Sequence, residues 1–550
     1  MKKGTYLFIA ILVILGTFSS CEDFLEEDNK SGLTADAYYG TLEGIEALVN
    51  SCYTPMRFWY GKEDGIALTE TGTDIFTRGN GMENPPVALY NAELNGANQP
   101  IEFHWTRLYS ALNTCNAAIG RIPESPLSEE LKVVREAEAR FLRAFYLWHI
   151  VETWGGVHLS LEEVENIQET ANRTSEEDFY NQIFTDLEFA INNLPETSSQ
   201  SGRAIKPAAE GFMARMLLTR GQNQEAASYA KNVIENYNFQ LEDNYADLWD
   251  INNVQNSEVV FNVNFTANLV FNEELDSPEG DITIRGGGNQ AHLFFLMTYD
   301  QLPGMMRTID YGRPFARFMP TAHLLDLFDE SIDARYDATF QTVWYCNNEA
   351  NAPEGMQIGD TAIYATKYVV PQSVKDESLY TIIDRSRTYG DNDQPIVRDR
   401  FMSLKKFLDP SRETISQQQG KRDAFVIRLA EMYLIVAEAE METNPAEAVE
   451  YFNEVRRRAA IDGSETAMEI TADQLDIDMI LDERAREFAG EQLRWFDLKR
   501  TGQLVERVQQ WNPDAASNIQ PYHRLRPIPQ SQLDAVTNKD EFTQNEGYNM

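Results

Sequence analysis

Residues 207–237 read PAAEGFMARMLLTRGQNQEAASYAKNVIENY, two helical patterns broken by one glycine. In 207–220, Phe212 and Met216 fall on one helix face; in 222–237, Ala226, Ala230, Val233 and Tyr237 do the same. Spacings of three and four residues place side chains on one stripe of an α-helix. Pro207 suits a first helical turn, where its missing N–H costs nothing, and Gly221 supplies the turn between the helices. The same grammar recurs upstream. Ser128 is placed to cap a helix whose first turn holds Glu129 and Glu130, anions that a helix start favours. Leu131, Val134, Phe141, Phe145 and Trp148 form its stripe, and Trp154-Gly155-Gly156 ends it. Ser175 opens another helix with Phe179, Ile183, Leu187 and Ile191, stopped by Pro195. Downstream, Leu429, Met432, Tyr433, Val436 and Ala439 line a helix. Asn444 is read as the cap of the next, with Pro445 in its first position, Glu447 where a capping-box acid belongs, and Val449, Phe452 and Val455 as the buried face. Thr471 and Gln474 have capping-box spacing and predict the start of a further helix carrying Leu481, Ala485 and Phe488, closed by Gly490.

Antiparallel helix pairs joined at a glycine resemble tetratricopeptide repeats, whose period is about 34 residues. No pair buries its apolar stripe alone, so the pairs are expected to stack on one another as a right-handed superhelix. The region from 241 to 420 breaks the pattern. Phe261, Val263 and Phe265 alternate with Asn262, Asn264 and Thr266, and Phe340, Thr342 and Trp344 recur at the same period, which is strand spacing. Gly286-Gly287-Gly288 and Pro303-Gly304 punctuate it as turns. The expected fold is mainly α: a tetratricopeptide-like helical hairpin scaffold with a loop-rich lobe containing short β-strands. Its expected divisions are a leader at 1–20, an acidic tether at 21–40, helical hairpins at 41–240, the lobe at 241–420, further helices at 421–510 and a tail packed on the scaffold at 511–550.

Composition narrows the function. The chain has 550 residues, 43% hydrophobic and 24% charged, as expected of a globular protein, and a formal charge of −40. That surface repels phosphate backbones, so no nucleic-acid partner is expected. The Cys residues at 21, 52, 115 and 346 show no CxxC and no metal spacing with His. Lys2 and Lys3 precede an unbroken apolar run at 6–15, too short to span a membrane and fit for the core of a signal peptide. Small residues then lead to Cys21, which resembles a bacterial lipobox, although Phe18 stands where an aliphatic residue is usual. Lipidation at Cys21 would anchor the chain to a membrane. Loss of Lys2 and Lys3 would make the mature chain two charges more negative than −40. Glu22, Asp23, Glu26, Glu27 and Asp28 follow, resembling the surface-export signal of Bacteroidota lipoproteins.

Three segments, taken in order, carry a wider resemblance. They are AEARFLRA at 137–144 with its Trp154-Gly155-Gly156-Val157 turn, RLAEMYL at 428–434 continuing to Ala437-Glu438-Ala439, and DER at 482–484 through EFAGE at 487–491 to RWFDLKR at 494–500. Pro527-Ile528-Pro529 fits as well. Behind a lipobox and acidic tether, they resemble the SusD/RagB family of outer-membrane nutrient-binding lipoproteins over nearly the whole chain. Glu483, Arg484, Glu487 and Arg494 are themselves read as a scaffold ion network, since Glu and Arg three or four apart pair laterally on a helix. The resemblance implies a non-enzyme, lipid-anchored on the extracellular face of the outer membrane, that captures glycans and passes them to a SusC-like TonB-dependent transporter. It implies no cofactor. Residues 243–250, with Asp243, Asp247 and Asp250, have the composition of a calcium loop but no EF-hand spacing.

The family's ligand platform consists of exposed aromatics with a few polar groups, because sugar C–H faces stack on rings while hydroxyls take hydrogen bonds. Two regions are expected to supply it here. The first is Asp74, Phe76, Arg78 and Tyr90, with Asp74 as a sugar-hydroxyl acceptor or a turn cap. The second is Phe294, Phe295, Tyr299, Trp344 and Tyr345, with Trp344 exposed at a strand end beside Asn347-Asn348 while Phe340 faces the core. Trp105 is read as helix packing. A surface glycosidase or lyase, and a peptide-binding repeat scaffold, are the competing readings. No HExxH, GxSxG or P-loop pattern supports an enzyme.

Overall fold

The computed structural model describes residues 34–268 and 288–548. The leader, Cys21 and Gly286-Gly287 lie outside the described residues. The end of the expected tether is not extended. Ala35–Tyr39 is a short helix whose first turn is capped by the Thr34 hydroxyl.

The scaffold begins with α1 (Leu42–Ser51), α2 (Gln99–Arg121), α3 (Glu129–Trp154), α4 (Glu176–Asn193), α5 (Lys206–Thr219) and α6 (Asn223–Asn236). It resumes with α7 (Leu429–Glu440), α8 (Pro445–Arg458), α9 (Ile477–Phe488) and α10 (Arg494–Arg500). Consecutive helices pack in order from α2 to α6, and α6 then packs on α7, which packs on α8. The two ends of the chain therefore build one continuous stack, each stripe covered by the next pair. Ser128 and Ser175 cap α3 and α4 as their positions predict, accepting from the Leu131 and Asp178 amides. Asn444 differs: its side-chain amide donates to Glu447, leaving its backbone carbonyl to start α8. Thr471 and Gln474 do form a box, but on a short 3₁₀ turn; α9 starts later, capped by Asp476. Gly490 closes α9 at φ +81°, and a Cβ there would lie 2.7 Å from the Phe407 ring, so only glycine fits.

Buried charge locks the C-terminal helices together. Glu483 accepts from Arg335 at 2.6 Å and from Arg456 and Arg486 at 2.7 Å. Glu487 meets Arg335 and Arg428 at 3.0 Å and also Arg458. Arg428 reaches Glu491 at 2.8 Å and Glu258 as well. Buried ions persist only when such partners replace lost hydration. Burial would raise the Glu487 carboxyl, but Arg458, Arg428 and Arg335 pull it down to about 2.

The strands are short: β1 (Phe76–Arg78), β2 (Val259–Val263), β3 (Phe318–Pro320), β4 (Phe340–Gln341), β5 (Val343–Tyr345), β6 (Thr361–Ala365), β7 (Thr381–Ile383), β8 (Ser403–Leu404) and β9 (Ala424–Arg428). The lobe is fastened to the scaffold by β2 pairing antiparallel with β9, which leads directly into α7. The early loop joins the lobe through β1, antiparallel to β3. The one three-stranded sheet among the described residues is β5-β6-β7, with β5 antiparallel and β7 parallel to β6.

Candidate functional site

The two regions expected to form an aromatic platform do meet, but inside the protein. Phe76 packs 5.2 Å from Phe295, which lies 5.3 Å from Phe318 and 5.4 Å from Phe407; Phe294 lies 5.6 Å from Phe318. All five rings are buried. Phe76, Phe294 and Phe295 are thus core residues that weld β1 to the lobe, not ligand contacts. Tyr90 is buried against His523 at 4.9 Å and beneath the Arg526 guanidinium. Tyr299 is also buried, its hydroxyl donating to the Gly312 carbonyl.

Asp74 is corrected in the same sense. Its carboxylate accepts from Arg494 Nε at 2.7 Å and Arg507 Nε at 2.8 Å, with His323 at 4.0 Å. Burial alone would raise this carboxyl; the two guanidiniums override it and hold it well below the usual carboxylate range. Both carboxylate oxygens are engaged and buried, so Asp74 is a tie between the early loop and the C-terminal helices.

Trp344 shows why strand parity decides exposure. Side chains two apart on a strand share a face. The parity that sends Phe340 inward therefore sends Trp344 inward too, and its ring is 1% exposed, stacked 6.5 Å from Tyr299 and opposite Ile363 of β6. Tyr345, one residue on, points out and is 52% exposed. Tyr364 of β6, which sequence reasoning missed, is 37% exposed. Val343 pairs with Tyr364 across the ladder, and Tyr345 follows a register shift that sets it opposite Thr361, so the two exposed tyrosines stand on adjacent strands of one sheet.

Arg78 is the last of the expected site residues. Its guanidinium is half-buried and makes no hydrogen bond or ion pair among the described residues; its Nε is shielded from water with no partner. Burial, and then the like charge of Arg398, lower its affinity for its proton. A continuous run of contacts links it to the tyrosines. Arg398 donates to the Arg78 carbonyl at 3.1 Å, and its neighbour Asp399 accepts from the Thr298 amide at 2.9 Å. The Tyr299 ring lies 5.7 Å from Tyr311, whose hydroxyl accepts from the Tyr345 amide at 3.0 Å. Asn347 and exposed Met306 clasp each other beside Tyr345, through the Asn347 amide and the Met306 backbone. The outer face of the β5-β6 sheet thus offers two tyrosine planes beside the Asn347 amide, while the open Arg78 guanidinium stands on the separate β1-β3 ladder.

A larger groove, about 430 Å³, lies between α2, the 158–171 segment and the C-terminal tail. Its Trp105 packs edge-on against Trp154 at 5.0 Å and on Tyr109 at 4.8 Å. Trp105 and Phe542 are buried and offer no open plane. Asp250 Oδ1 is occupied by the Asn252 backbone and side chain, and no group of three or more metal-ligating side chains converges among the described residues. Cys52, Cys115 and Cys346 are buried free thiols. No helix among the described residues is long and apolar enough to cross a membrane.

Residues 286–548 match the family model described as the SusD family, and residues 23–218 match one described as starch-binding, associating with outer membrane. SusD-like protein P25 of Formosa agariphila is 27% identical over 553 residues, covering 96% of each chain. The starch-binding protein SusD of Bacteroides thetaiotaomicron is 23% identical, covering 85% of this chain and 82% of its own. Among solved structures, a laminarin-binding SusD-like protein superposes with a TM-score of 0.70 at 23% identity, over 93% of this chain and all of that one. Surface glycan-binding protein A from Bacteroides thetaiotaomicron, solved in complex with laminarihexaose, gives 0.68 at 20% identity, over 92% and 99%. The helical-hairpin fold is shared with these structures, and the chain belongs to the SusD family.

Proposed function

We propose that this protein is a non-catalytic glycan-binding lipoprotein of the outer-membrane surface, which captures oligo- or polysaccharide at the Tyr345–Tyr364 face and delivers it to a TonB-dependent barrel. The carrying observation is that face: two exposed tyrosine rings, Tyr345 and Tyr364, on adjacent strands of one sheet. Aromatic planes bind the apolar faces of sugar rings, and a guanidinium donates to hydroxyls without chemistry on the glycosidic bond. The similarity to laminarin- and starch-binding proteins supports the ligand class. Capture needs only moderate affinity, since release must follow; a micromolar Kd corresponds to about −8 kcal/mol. The anchor at Cys21 and the barrel partner are part of this reading.

Titration of the mature protein against a polysaccharide panel that includes laminarin and starch tests it, with a reducing-end assay on the same mixtures. Saturable binding without new reducing ends is expected. Sustained release of reducing ends would favour a glycosidase, and failure to bind any glycan while a large barrel copurifies would favour a peptide-binding scaffold.

A further inference from the structure

A second cleft, about 280 Å³, opens far from the tyrosine face in sequence, where three elements converge. Arg57 comes from the short helix Met56–Trp59, Asn264 from just beyond β2, and Ser201-Gly202-Arg203 from the turn between α4 and α5. Gly202 has φ +75°, and a Cβ there would lie 2.4 Å from Asn264 Oδ1, so only glycine lets the turn close on the strand. Arg203 is already committed: it donates to Glu138 at 2.8 Å, to Asn50 Oδ1 at 2.9 Å and to Gln200 Oε1 at 3.0 Å. Glu138 is saturated in turn by Arg135 at 2.6 Å and the Tyr53 hydroxyl at 2.7 Å. Asp423, bound to the Phe265 amide and the Asn262 side chain at 2.9 Å, is near enough to attract the Arg57 charge but forms no ion-pair contact with it.

Arg57 is the exception. Its Nε donates to the Asn264 carbonyl at 2.8 Å, which fixes the plane of the guanidinium, and it forms no ion pair among the described residues. Its two terminal nitrogens have no acceptor there, while the Asn50 and Gln200 side chains stand on the same walls with amide donors not engaged by Arg203. Other arginines of this chain spend terminal nitrogens on partners, Arg143 on Asp186, Arg215 on Glu431 and Arg422 on the Leu408 and Trp249 carbonyls. A planar fork with free terminal N–H groups matches the paired oxygens of a carboxylate or sulfate. In a chain of formal charge −40, long-range attraction does not gather anions, so such a ligand needs dedicated local donors.

We propose that this cleft is a second binding site that takes a single oxyanion borne by a sugar, either a uronate carboxylate or a sulfate ester, on the Arg57 fork. The sugar part rests on the glycan-binding reading above; the anion part does not. Isothermal titration of the mature protein with sodium glucuronate and with glucose 6-sulfate, beside glucose and inorganic sulfate, tests it. Saturable binding of at least one acidic sugar, absent with glucose, is expected, and the tighter of the two identifies the oxyanion. Arg57→Gln should weaken that binding at least tenfold while leaving neutral-glycan binding at the tyrosine face unchanged. Gln200→Ala, on the exposed rim, should weaken it about threefold and serves if Arg57→Gln does not fold. Equal affinity in wild type and both variants, or binding of inorganic sulfate with neither acidic sugar, would overturn the proposal. Loss of neutral-glycan binding with the acidic-sugar site intact would instead count against the tyrosine face alone.

Discussion

In the scaffold, Arg335 and Arg428 are ringed by Asp333, Glu258, Glu483, Glu487 and Glu491. At the lobe face, the Arg78 guanidinium has no acceptor among the described residues. The same side chain serves the fold in one region and is left open in the other, and the local carboxylate supply makes the difference. The aromatics divide likewise. Phe76, Phe294 and Phe295 interlock in the core, while Tyr345 and Tyr364 face water on the separate β5-β6-β7 sheet. Charge and ring count alone do not tell the two roles apart; closure by partners does.

The comparison can be broken most forcefully in the scaffold. Glu487→Ala leaves Arg335, Arg428 and Arg458 facing one another without their shared anion. A loss of roughly 3–5 kcal/mol is expected, since breaking a buried pair exposes an uncompensated charge; denaturant titration measures it. Trp344→Ala should cost a similar amount, about 3–5 kcal/mol, as a large ring removed from the core. A Trp344→Ala protein of unchanged stability would mean that the ring is not core.

Acid should act on the scaffold before the lobe face. The Glu487 carboxyl, ordinarily near 4.5, lies at about 2 in the fold. A depressed folded value means that the stabilisation is complete above the unfolded value and is lost as pH falls from about 4.5 towards 2. Denaturation at pH 6, 4 and 3 should show that decline, and Glu487→Gln should flatten it. The smallest expected effect is at Arg78: Arg78→Gln should weaken glycan binding about three- to tenfold, the range of one or two hydrogen bonds of roughly 1 kcal/mol each, with the melting temperature held.

Local patterns were readable from sequence where local physics decides. Ser128 and Ser175 cap because their partner amides lie three residues away. The DER and RWFDLKR segments were readable as a charged scaffold, but their partners were not: Arg484 closes on Asp497, and Glu487 on Arg335, Arg428 and Arg458, all from other elements. Asp74 was not readable either, because its partner Arg494 lies 420 residues along the chain and only the folded stack brings them together. Trp344 and Tyr345 were adjacent candidates, and the parity shared with Phe340 already held the answer. Tyr364 was hidden in TAIYA, where alanines blur the alternation and only pairing with β5 reveals which side is wet. Arg57 gave no signal at all, since an unpaired arginine is recognised only once every possible partner has been placed.

The central claim is that the solvent-facing tyrosines of the β5-β6 sheet grip sugar. Titration of the double variant Tyr345→Ala/Tyr364→Ala against whichever polysaccharide the wild type binds tests it most directly. The account predicts a loss of tenfold or more, about 1.4 kcal/mol, at an unchanged melting temperature; equal affinity in the two proteins would contradict it.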